Sequence, residues 1–166
     1  QWQQQLVSRL PPGFNYVARM PTMNRADANS ASTVAFEVCE TADARRSVLA
    51  AALALMAKQP AFVALRTQQQ LGYIVYTWVH VEVSVSFFAV MVQGARYGAD
   101  TLTARIGMFL EKFQEQVCPQ PSGALTDAGF AEVKKVLARK IVARDASLKQ
   151  ASDRVWTEVD QRAYVF

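Results

Sequence analysis

The sequence predicts an α+β fold, with a largely antiparallel β-sheet covered on one face by long helices. Two neighbouring segments rich in β-branched and aromatic residues, 73–79 and 83–92, are typical of the paired strands of an antiparallel hairpin. Three segments after residue 98 place apolar residues at helical spacing, which indicates long amphipathic helices. A strand pattern and a helical region precede the hairpin, and no segment of the chain repeats.

The N-terminal part of the chain divides into a connector and the start of a domain. Residues 1–13 are rich in Gln and end in a Pro-Pro-Gly run, which favours irregular structure. We interpret residues 1–13 as a connector and residues 14–166 as a single α+β domain, long enough to bury a sizeable core. Residues 14–19 are predicted to form a short strand, and residues 20–31 a polar loop.

A half-buried strand is predicted over residues 32–38, because Val34, Phe36 and Val38 alternate with other residues and share one face. An amphipathic helix packed on the sheet is predicted over residues 42–58. Its expected core positions are Ala44, Val48, Ala51, Ala52 and Leu55. Pro60 is expected to interrupt this helix, so that residues 61–70 form a second helical piece.

Three helices are predicted after the hairpin. The first covers residues 100–117, with Asp100 as its N-cap. Its apolar stripe consists of Leu102, Ile106, Phe109, Leu110 and Phe113. The second begins at Thr126, and its apolar face consists of Phe130, Val133, Leu137 and Ile141. Ser147 and Gln150 form a capping-box pattern at the start of the last helix.

The composition is that of a soluble globular domain, with 51% hydrophobic and 19% charged residues and a net charge of +4. The densest basic cluster, between Lys134 and Arg144, has the spacing of a solvated helix face, so no nucleic-acid partner is predicted. No uncharged apolar run reaches the ~18 residues of a membrane span, and the first residues do not resemble a signal peptide. The sequence therefore predicts no membrane association.

Histidine and cysteine are too sparse to predict a metal site within this chain. Cys39 and Cys118 are the two cysteines and His80 is the single histidine, in no zinc-binding spacing. Two distant cysteines are expected to stay reduced, in the cytoplasm or another reducing compartment. The chain also has no phosphate-binding glycine loop, no nucleophile elbow and no carboxylate pair that can be placed together, so no self-contained enzyme is predicted.

The most informative stretch is Leu65–Val75, with the sequence LRTQQQLGYIV. Its first half is polar and helix-like, and Gly72 then precedes β-branched and aromatic residues, which favours a helix that ends on glycine and continues into a strand. Arg66 and Tyr73 lie on either side of this break and supply a cation and a phenol hydroxyl, both able to bind a carbonyl oxygen. The residues alone leave an alternative, in which Tyr73 covers the sheet edge and Arg66 pairs with a carboxylate such as Glu37.

Leu65–Val75 resembles the LRT-x-x-QLGY-(I/V)-V signature of the pitrilysin and insulin-degrading-enzyme family of zinc metallopeptidases, where it lies in the last of four domains. The order of elements over residues 14–164 resembles one repeat unit of that family's peptidase domain, and the Trp-centred residues 153–158 resemble part of a late helix. The connection His80–Glu82 departs from the Gly-rich, polar connection usual in the family. The resemblance also implies a further strand and helix beyond residue 166.

The resemblance implies the C-terminal, non-catalytic domain of a zinc metalloendopeptidase that encloses peptide substrates between two halves. Zinc and the general-base glutamate would be supplied by the N-terminal half of the same longer chain, so this fragment alone is expected to bind no zinc and to be inactive. Arg66 is implied to bind the substrate backbone near the scissile bond, and Tyr73 to reach the scissile carbonyl. Gly72 is implied to be structural, permitting the turn that directs Tyr73 inward.

A second hypothesis places the same domain in a peptidase homologue that has lost catalysis and acts as a peptide-binding or assembly scaffold. The fold and Tyr73 would be unaffected by such a loss. The two hypotheses differ in whether the longer protein carries HxxEH in its first domain.

Overall fold

The computed structural model describes residues 11, 13–82, 85–117 and 126–160. Within these residues the elements are, in chain order, β1 (Ser30–Glu40), α1 (Ala44–Ala61), a π-helix (Phe62–Gln68), β2 (Ile74–Glu82), β3 (Val85–Gly94), α2 (Ala99–Val117), α3 (Asp127–Val142) and α4 (Leu148–Asp160). This arrangement of strands and helices is the predicted α+β class.

The sheet is antiparallel, with β3 in the centre and the strand order β1-β3-β2. β2 and β3 form the predicted hairpin, and His80–Glu82 belong to β2 rather than to the connection. Glu82 pairs with Val85, so the ladder extends to both sides of residues 83–84, which lie outside the described residues.

The hydrophobic core lies between one face of the sheet and the two helices α1 and α2. β3 contributes Phe88, Val90 and Val92, which alternate along the strand and are all buried. The predicted stripe of α2 is confirmed, with Leu102, Ile106, Phe109 and Phe113 buried and Leu110 partly buried against them. Helices therefore cover the sheet face on which Phe88, Val90 and Val92 lie.

The buried face of α1 agrees only in part with the predicted face, since Ala52 is buried and Ala51 and Leu55 are half-buried. Val48 is 45% exposed, and Ala44 is also exposed. The buried residues are the alanines Ala50, Ala52, Ala54, Ala57 and Ala61. Because α1 is apolar on most sides, periodicity in the sequence cannot select a face, whereas the methyl side chains of alanine permit close packing against the sheet.

β1 forms as predicted, but its apolar residues do not share one buried face. The register with β3 shifts between Glu37 and Cys39, which marks a β-bulge. The shift brings Cys39 to a buried position, where its thiol is free, whereas Phe36, which precedes the shift, is 50% exposed. The prediction that Val34, Phe36 and Val38 face the core together is therefore wrong for Phe36.

Pro60 does not interrupt the helix, contrary to the prediction. α1 continues through it to Ala61, and the π-helix follows directly at Phe62. Proline cannot donate a backbone hydrogen bond and normally breaks a helix. Here Ala57, Ala61 and Leu65, on both sides of Pro60, are fully buried, and this tertiary packing outweighs the local preference.

The continuous helical segment Ala44–Gln68 is long and apolar enough to cross a membrane by length and composition, with a mean hydropathy of 1.8 over its best window. The sequence predicts no membrane span, and the structure offers a different reason for the hydropathy. One side of this segment forms the core contact with the sheet, which requires apolar residues.

The predicted strand over residues 14–19 is absent, since the described residues before Ser30 form turns and irregular structure. Phe14, Tyr16 and Val17 are each more than half exposed. A strand pattern alone stabilises no strand where the side chains have nothing to pack against. Most of the predicted connector lies outside the described residues, as do Cys118 and the predicted turn that contains it.

The starts of the last helices are close to the predicted ones. Thr126 is the N-cap of α3, and its side-chain oxygen accepts a hydrogen bond from the Gly129 N–H at 3.1 Å. At the start of α4, Ser147 accepts from the Gln150 N–H at 3.2 Å, while the Gln150 side chain accepts from the preceding Ala146 N–H.

Two details of α2 and α3 differ from the prediction. Asp100 is not an N-cap but lies inside the first turn of α2, where it pairs with Arg19 at 3.0 Å. α3 packs against α1, yet none of its residues is fully buried, and Ile141 is 65% exposed. The predicted apolar face of α3 therefore ends before Ile141.

Candidate functional site

The predicted site residues lie where the π-helix leads into β2, with Arg66 within the π-helix and Gly72 and Tyr73 in the connection that follows it. In the π-helix the backbone hydrogen bonds span five residues, as in the bond from the Gln69 N–H to the Ala64 carbonyl at 3.1 Å. The Leu71 N–H then bonds the Leu65 carbonyl at 3.0 Å and closes the end of the helix. Leu65 and Leu71 are both buried, which anchors the connection on either side of the break. Single π-turns of this kind are often found at functional sites.

The backbone reverses at Gln70 rather than at Gly72. Gln70 has a φ of 50°, the left-handed conformation expected of the residue after a helix, whereas Gly72 has no positive φ. The prediction that Gly72 supplies the backbone angles that end the helix is therefore wrong. Gly72 still has a structural role, for a different reason.

Gly72 is required by a close approach of two backbones. A Cβ at Gly72 would collide with the Gln93 carbonyl oxygen, and one at Gly94 would lie 2.6 Å from the Gly72 Cα. Each glycine lacks a side chain where the other backbone passes. This contact joins the start of β2 to the end of β3 and holds the position from which Tyr73 projects.

Arg66 lies within the π-helix, with its side chain exposed. Its guanidinium carbon is 5.0 Å from the centroid of the Phe62 ring, a cation–π contact within one helical turn. Within the described residues Arg66 has no ion pair, so the alternative in which it pairs with Glu37 is not observed. The ring restricts the guanidinium while leaving its N–H groups available to a ligand.

Tyr73 immediately precedes β2 and is 56% exposed. No hydrogen bond involves its hydroxyl in the part of the chain that the structure describes, and none joins it to Arg66. The structure thus places Arg66 in the π-helix and Tyr73 just before β2, each exposed, and no hydrogen bond joins the two side chains.

His80 lies away from this connection, on β2, where its Nε2 is 3.2 Å from the Glu82 carboxylate. Across the described ranges, no group of three or more His, Cys, Asp or Glu side chains is placed to hold a metal ion. The zinc that the family resemblance implies therefore does not fit the described residues of this chain.

Two residues that support the site were missed at the sequence level. Phe62, which carries the Arg66 guanidinium, precedes it by four residues, a spacing that places two side chains on the same side of an α-helix. This spacing could have indicated the contact. Gly94, the partner of Gly72, is 22 residues away, and no local pattern connects them.

Comparison with known proteins identifies relatives along nearly the whole chain. Residues 52–156 match the family model described as PQQ synthase PqqF-like, C-terminal lobe domain 4. Nardilysin of Rattus norvegicus is 31% identical over 162 residues, which are 96% of this chain and 13% of nardilysin. The putative zinc protease mug138 of Schizosaccharomyces pombe is 27% identical over 157 residues, 95% of this chain and 16% of that protein.

A solved structure agrees in fold. The crystal structure of pitrilysin matches 81% of this chain with a TM-score of 0.63, at 16% sequence identity. The chain corresponds to 14% of the pitrilysin chain, and it likewise spans only a small part of each relative named above.

The fold is thus that of one α+β domain of a pitrilysin-like structure, as predicted. The chain belongs to the insulinase family of zinc proteases, as a PqqF-like C-terminal lobe domain 4. The resemblance inferred from Leu65–Val75 is confirmed.

Proposed function

We propose that this chain is the C-terminal, non-catalytic domain of an insulin-degrading-enzyme-like zinc metalloendopeptidase, in which it closes the peptide chamber. Its partners are peptide substrates and the N-terminal half of the same longer chain, with no nucleic acid or membrane involved. The zinc ligands lie in that N-terminal half, so the 166-residue chain alone is inactive.

The observation that carries this proposal is the pair of exposed donors, Arg66 in the π-helix and Tyr73 at the end of the connection to β2. Phe62 restricts the guanidinium of Arg66, and the backbone contact between Gly72 and Gly94 holds the segment that bears Tyr73. Donors that are already ordered lose little conformational entropy when a peptide binds. A guanidinium and a phenol can both donate to the carbonyl oxygens of an extended peptide.

The two donors are assigned different roles. Arg66 binds the substrate backbone, which holds the peptide in place before and during reaction. The Tyr73 hydroxyl donates to the scissile carbonyl oxygen, where negative charge develops as the carbonyl is attacked, and such a donor stabilises the transition state more than the ground state.

The Tyr73→Phe variant of the longer protein tests this role. Loss of the hydroxyl is expected to lower kcat on the order of 10²-fold with little change in KM, because the bond acts mainly in the transition state. Tyr76→Phe is the matched control, since Tyr76 is an equally exposed tyrosine three residues further along, at 58% exposure. An unchanged kcat/KM for Tyr73→Phe would remove Tyr73 from the site.

Arg66→Gln tests the second donor and is expected to raise KM, because it removes a contact made in both the ground state and the transition state. Arg96→Gln is its control, since the Arg96 guanidinium also lies over a neighbouring ring, 5.2 Å from the Tyr97 centroid. If the longer protein binds peptides through Arg66 but cleaves none when loaded with zinc, the scaffold hypothesis replaces the peptidase.

A further inference from the structure

One face of the sheet forms the core, and the opposite face has no helix packed on it within the described residues. Side chains alternate along a strand, so Ala89 lies on the other side of β3 from Phe88 and Val90. The helical elements that contact the sheet are α1, α2 and the π-helix, and all three contribute buried residues to the core on the Phe88 side. We call the opposite side, which bears Ala89, the open face of the sheet.

Three large side chains surround Ala89 on the open face. Trp78 of β2 pairs with Ala89, and Phe87 and Met91 lie two residues before and after it on β3. These three side chains are half-buried, whereas Ala89 itself is 1% exposed. On the other side Ala89 pairs with Ala35 of β1, which is exposed and has only a methyl side chain. This group of five residues, the Ala89 patch, therefore has large side chains on three sides and is open towards Ala35.

The surroundings of the Ala89 patch differ from those of the core. Thr33 pairs with Met91 and Glu37 pairs with Phe87, so both polar side chains lie on the open face, where they are exposed. Tryptophan, phenylalanine and methionine bordered by polar side chains are typical of surfaces that bind partners reversibly, whereas permanent interfaces resemble a domain core. The composition of the open face therefore favours a partner that binds and dissociates over a permanently attached domain.

β2 connects the position of Tyr73 with the Ala89 patch. The strand begins at Ile74, directly after Tyr73, and Trp78 is its fifth residue. At about 3.3 Å per residue, Trp78 lies roughly 17 Å along the strand from Tyr73. An extended peptide has the same rise per residue. A peptide that follows β2 therefore brings to the patch a side chain about five residues away from the one that lies at Tyr73.

We propose that the Ala89 patch binds an aromatic or branched apolar side chain of the peptide substrate, about five residues away from the cleaved bond. Trp78, Phe87 and Met91 contact this side chain, and the small Ala35 leaves room for it to enter. The inference rests on the proposed function, because it places the cleaved bond at Tyr73. Trp78 is then a specificity-determining residue for peptides that are long enough to reach it.

Peptides that differ in one residue test the kind of side chain that is bound. The peptides are uncharged, share one sequence around the bond that the zinc-loaded longer protein cleaves, and carry Phe or Ser at the fifth residue from that bond, on one side or the other. Calorimetric titration of the zinc-free longer protein measures binding without cleavage. We expect Phe on one of the two sides to bind about tenfold more tightly than Ser, because its ring is buried. Equal Kd values for Phe and Ser on both sides would overturn the proposal.

Variants of the longer protein test the location. Ala35→Glu places a long charged side chain over the open side of the Ala89 patch, and Ala35 is exposed on an edge strand, away from the core. We expect the preference for Phe to fall from about tenfold to less than about twofold. Trp78→Thr removes the largest side chain of the patch but keeps a residue suited to a strand, and should have the same effect. Ala104→Glu, on the exposed surface of α2, is the matched control and should retain the preference. A preference that survives Ala35→Glu and Trp78→Thr would refute the site.

Tyr73→Phe separates this inference from the proposed function. The variant should lower kcat for the Phe and Ser peptides alike and leave the preference between them unchanged, because Tyr73 precedes β2 and does not border the Ala89 patch. An unchanged kcat, together with a preference that Ala35→Glu abolishes, would remove Tyr73 from the site and retain the patch. A lowered kcat without any preference for Phe would retain Tyr73 and refute the patch.

Discussion

At the scale of single residues, the contact between Gly72 and Gly94 determines where the site lies. Gly72 needs space rather than unusual backbone angles, since the positive φ belongs to Gln70. Neither glycine can carry a side chain without displacing the other segment. The position of Tyr73 therefore depends on a residue at the far end of the hairpin.

Gly72→Ala is expected to lower the free energy of unfolding by about 3 kcal/mol, because its Cβ would collide with the Gln93 backbone. Gly107→Ala is the control: a Cβ there meets no atom within 4 Å, and alanine favours the helix α2 by about 1 kcal/mol. Urea denaturation of both variants should give changes of opposite sign. A Gly72→Ala variant as stable as the original chain would mean that the two backbones are not held together.

Asp27, in the loop before β1, has a pKa below its ordinary value. The backbone N–H of Asn29 donates to its carboxylate at 2.9 Å, and the Asn29 side chain donates at 2.7 Å. Both bonds favour the ionised carboxylate. Because the pKa is lowered in the folded state, the contribution to stability is present above the ordinary value of 3.8 and is lost as the pH falls through the folded pKa.

Asn29→Ala removes only the side-chain donor, so the pKa of Asp27 should rise part of the way towards 3.8 while the backbone bond maintains some lowering. A titration of the Asp27 carboxyl carbon by NMR measures the change. An identical titration in both proteins would show that the Asn29 side chain does not hold the carboxylate in solution.

At the scale of elements, local sequence signals determine where one helix begins, whereas tertiary contacts determine how far another continues. α3 begins at its predicted cap, Thr126, and contacts α1 without burying any residue fully, so local signals contribute more to its stability than they do for α1. The helix through Pro60 is the opposite case, because contacts with the sheet maintain it against a strong local preference. The bounds of a helix can thus be predicted from its own sequence more reliably when the helix is exposed than when it is packed in the core.

Thr126→Ala removes the N-cap of α3 and should cost about 1 kcal/mol. Because no residue of α3 is fully buried, we expect local opening of its first turn rather than global unfolding, with the Gly129 amide exchanging its hydrogen about fivefold faster. Thr101→Ala, on the exposed surface of α2, should leave the exchange of its helix unchanged or slower. Equal exchange at Gly129 in the variant and the original chain would contradict the role of the cap.

At the scale of the whole molecule, the packing of α1 on the sheet decides which of its apolar residues form the core. Ala57 is fully buried and Val48 is 45% exposed, although valine is the larger apolar residue. The helix approaches the sheet on the side where its side chains are smallest, and the core on that side has no room for larger ones.

Ala57→Leu should therefore lower the free energy of unfolding by about 1–3 kcal/mol through overpacking. Val48→Leu adds volume on the exposed side and should change it by less than about 0.5 kcal/mol. Thermal unfolding of both variants distinguishes the observed core face from the one that periodicity predicted. A larger effect at Val48 would mean that the helix is rotated relative to this structure.

The sequence by itself determined the α+β class, the hairpin, the buried stripe of α2, the cap at Thr126 and, through Leu65–Val75, the family and the candidate residues Arg66 and Tyr73. Each of these rests on residues close together in the chain, where side-chain periodicity and backbone preference act directly. The sequence did not predict that β3 lies between β1 and β2, because the order of strands depends on pairing between segments that are distant in the chain.

Only the tertiary structure decided the buried face of α1, the continuation through Pro60, the absence of a strand over residues 14–19 and the pairing of Gly72 with Gly94. All four depend on which distant surface a segment meets. Burial and close backbone contact are properties of two segments together, and a local pattern describes only one of them.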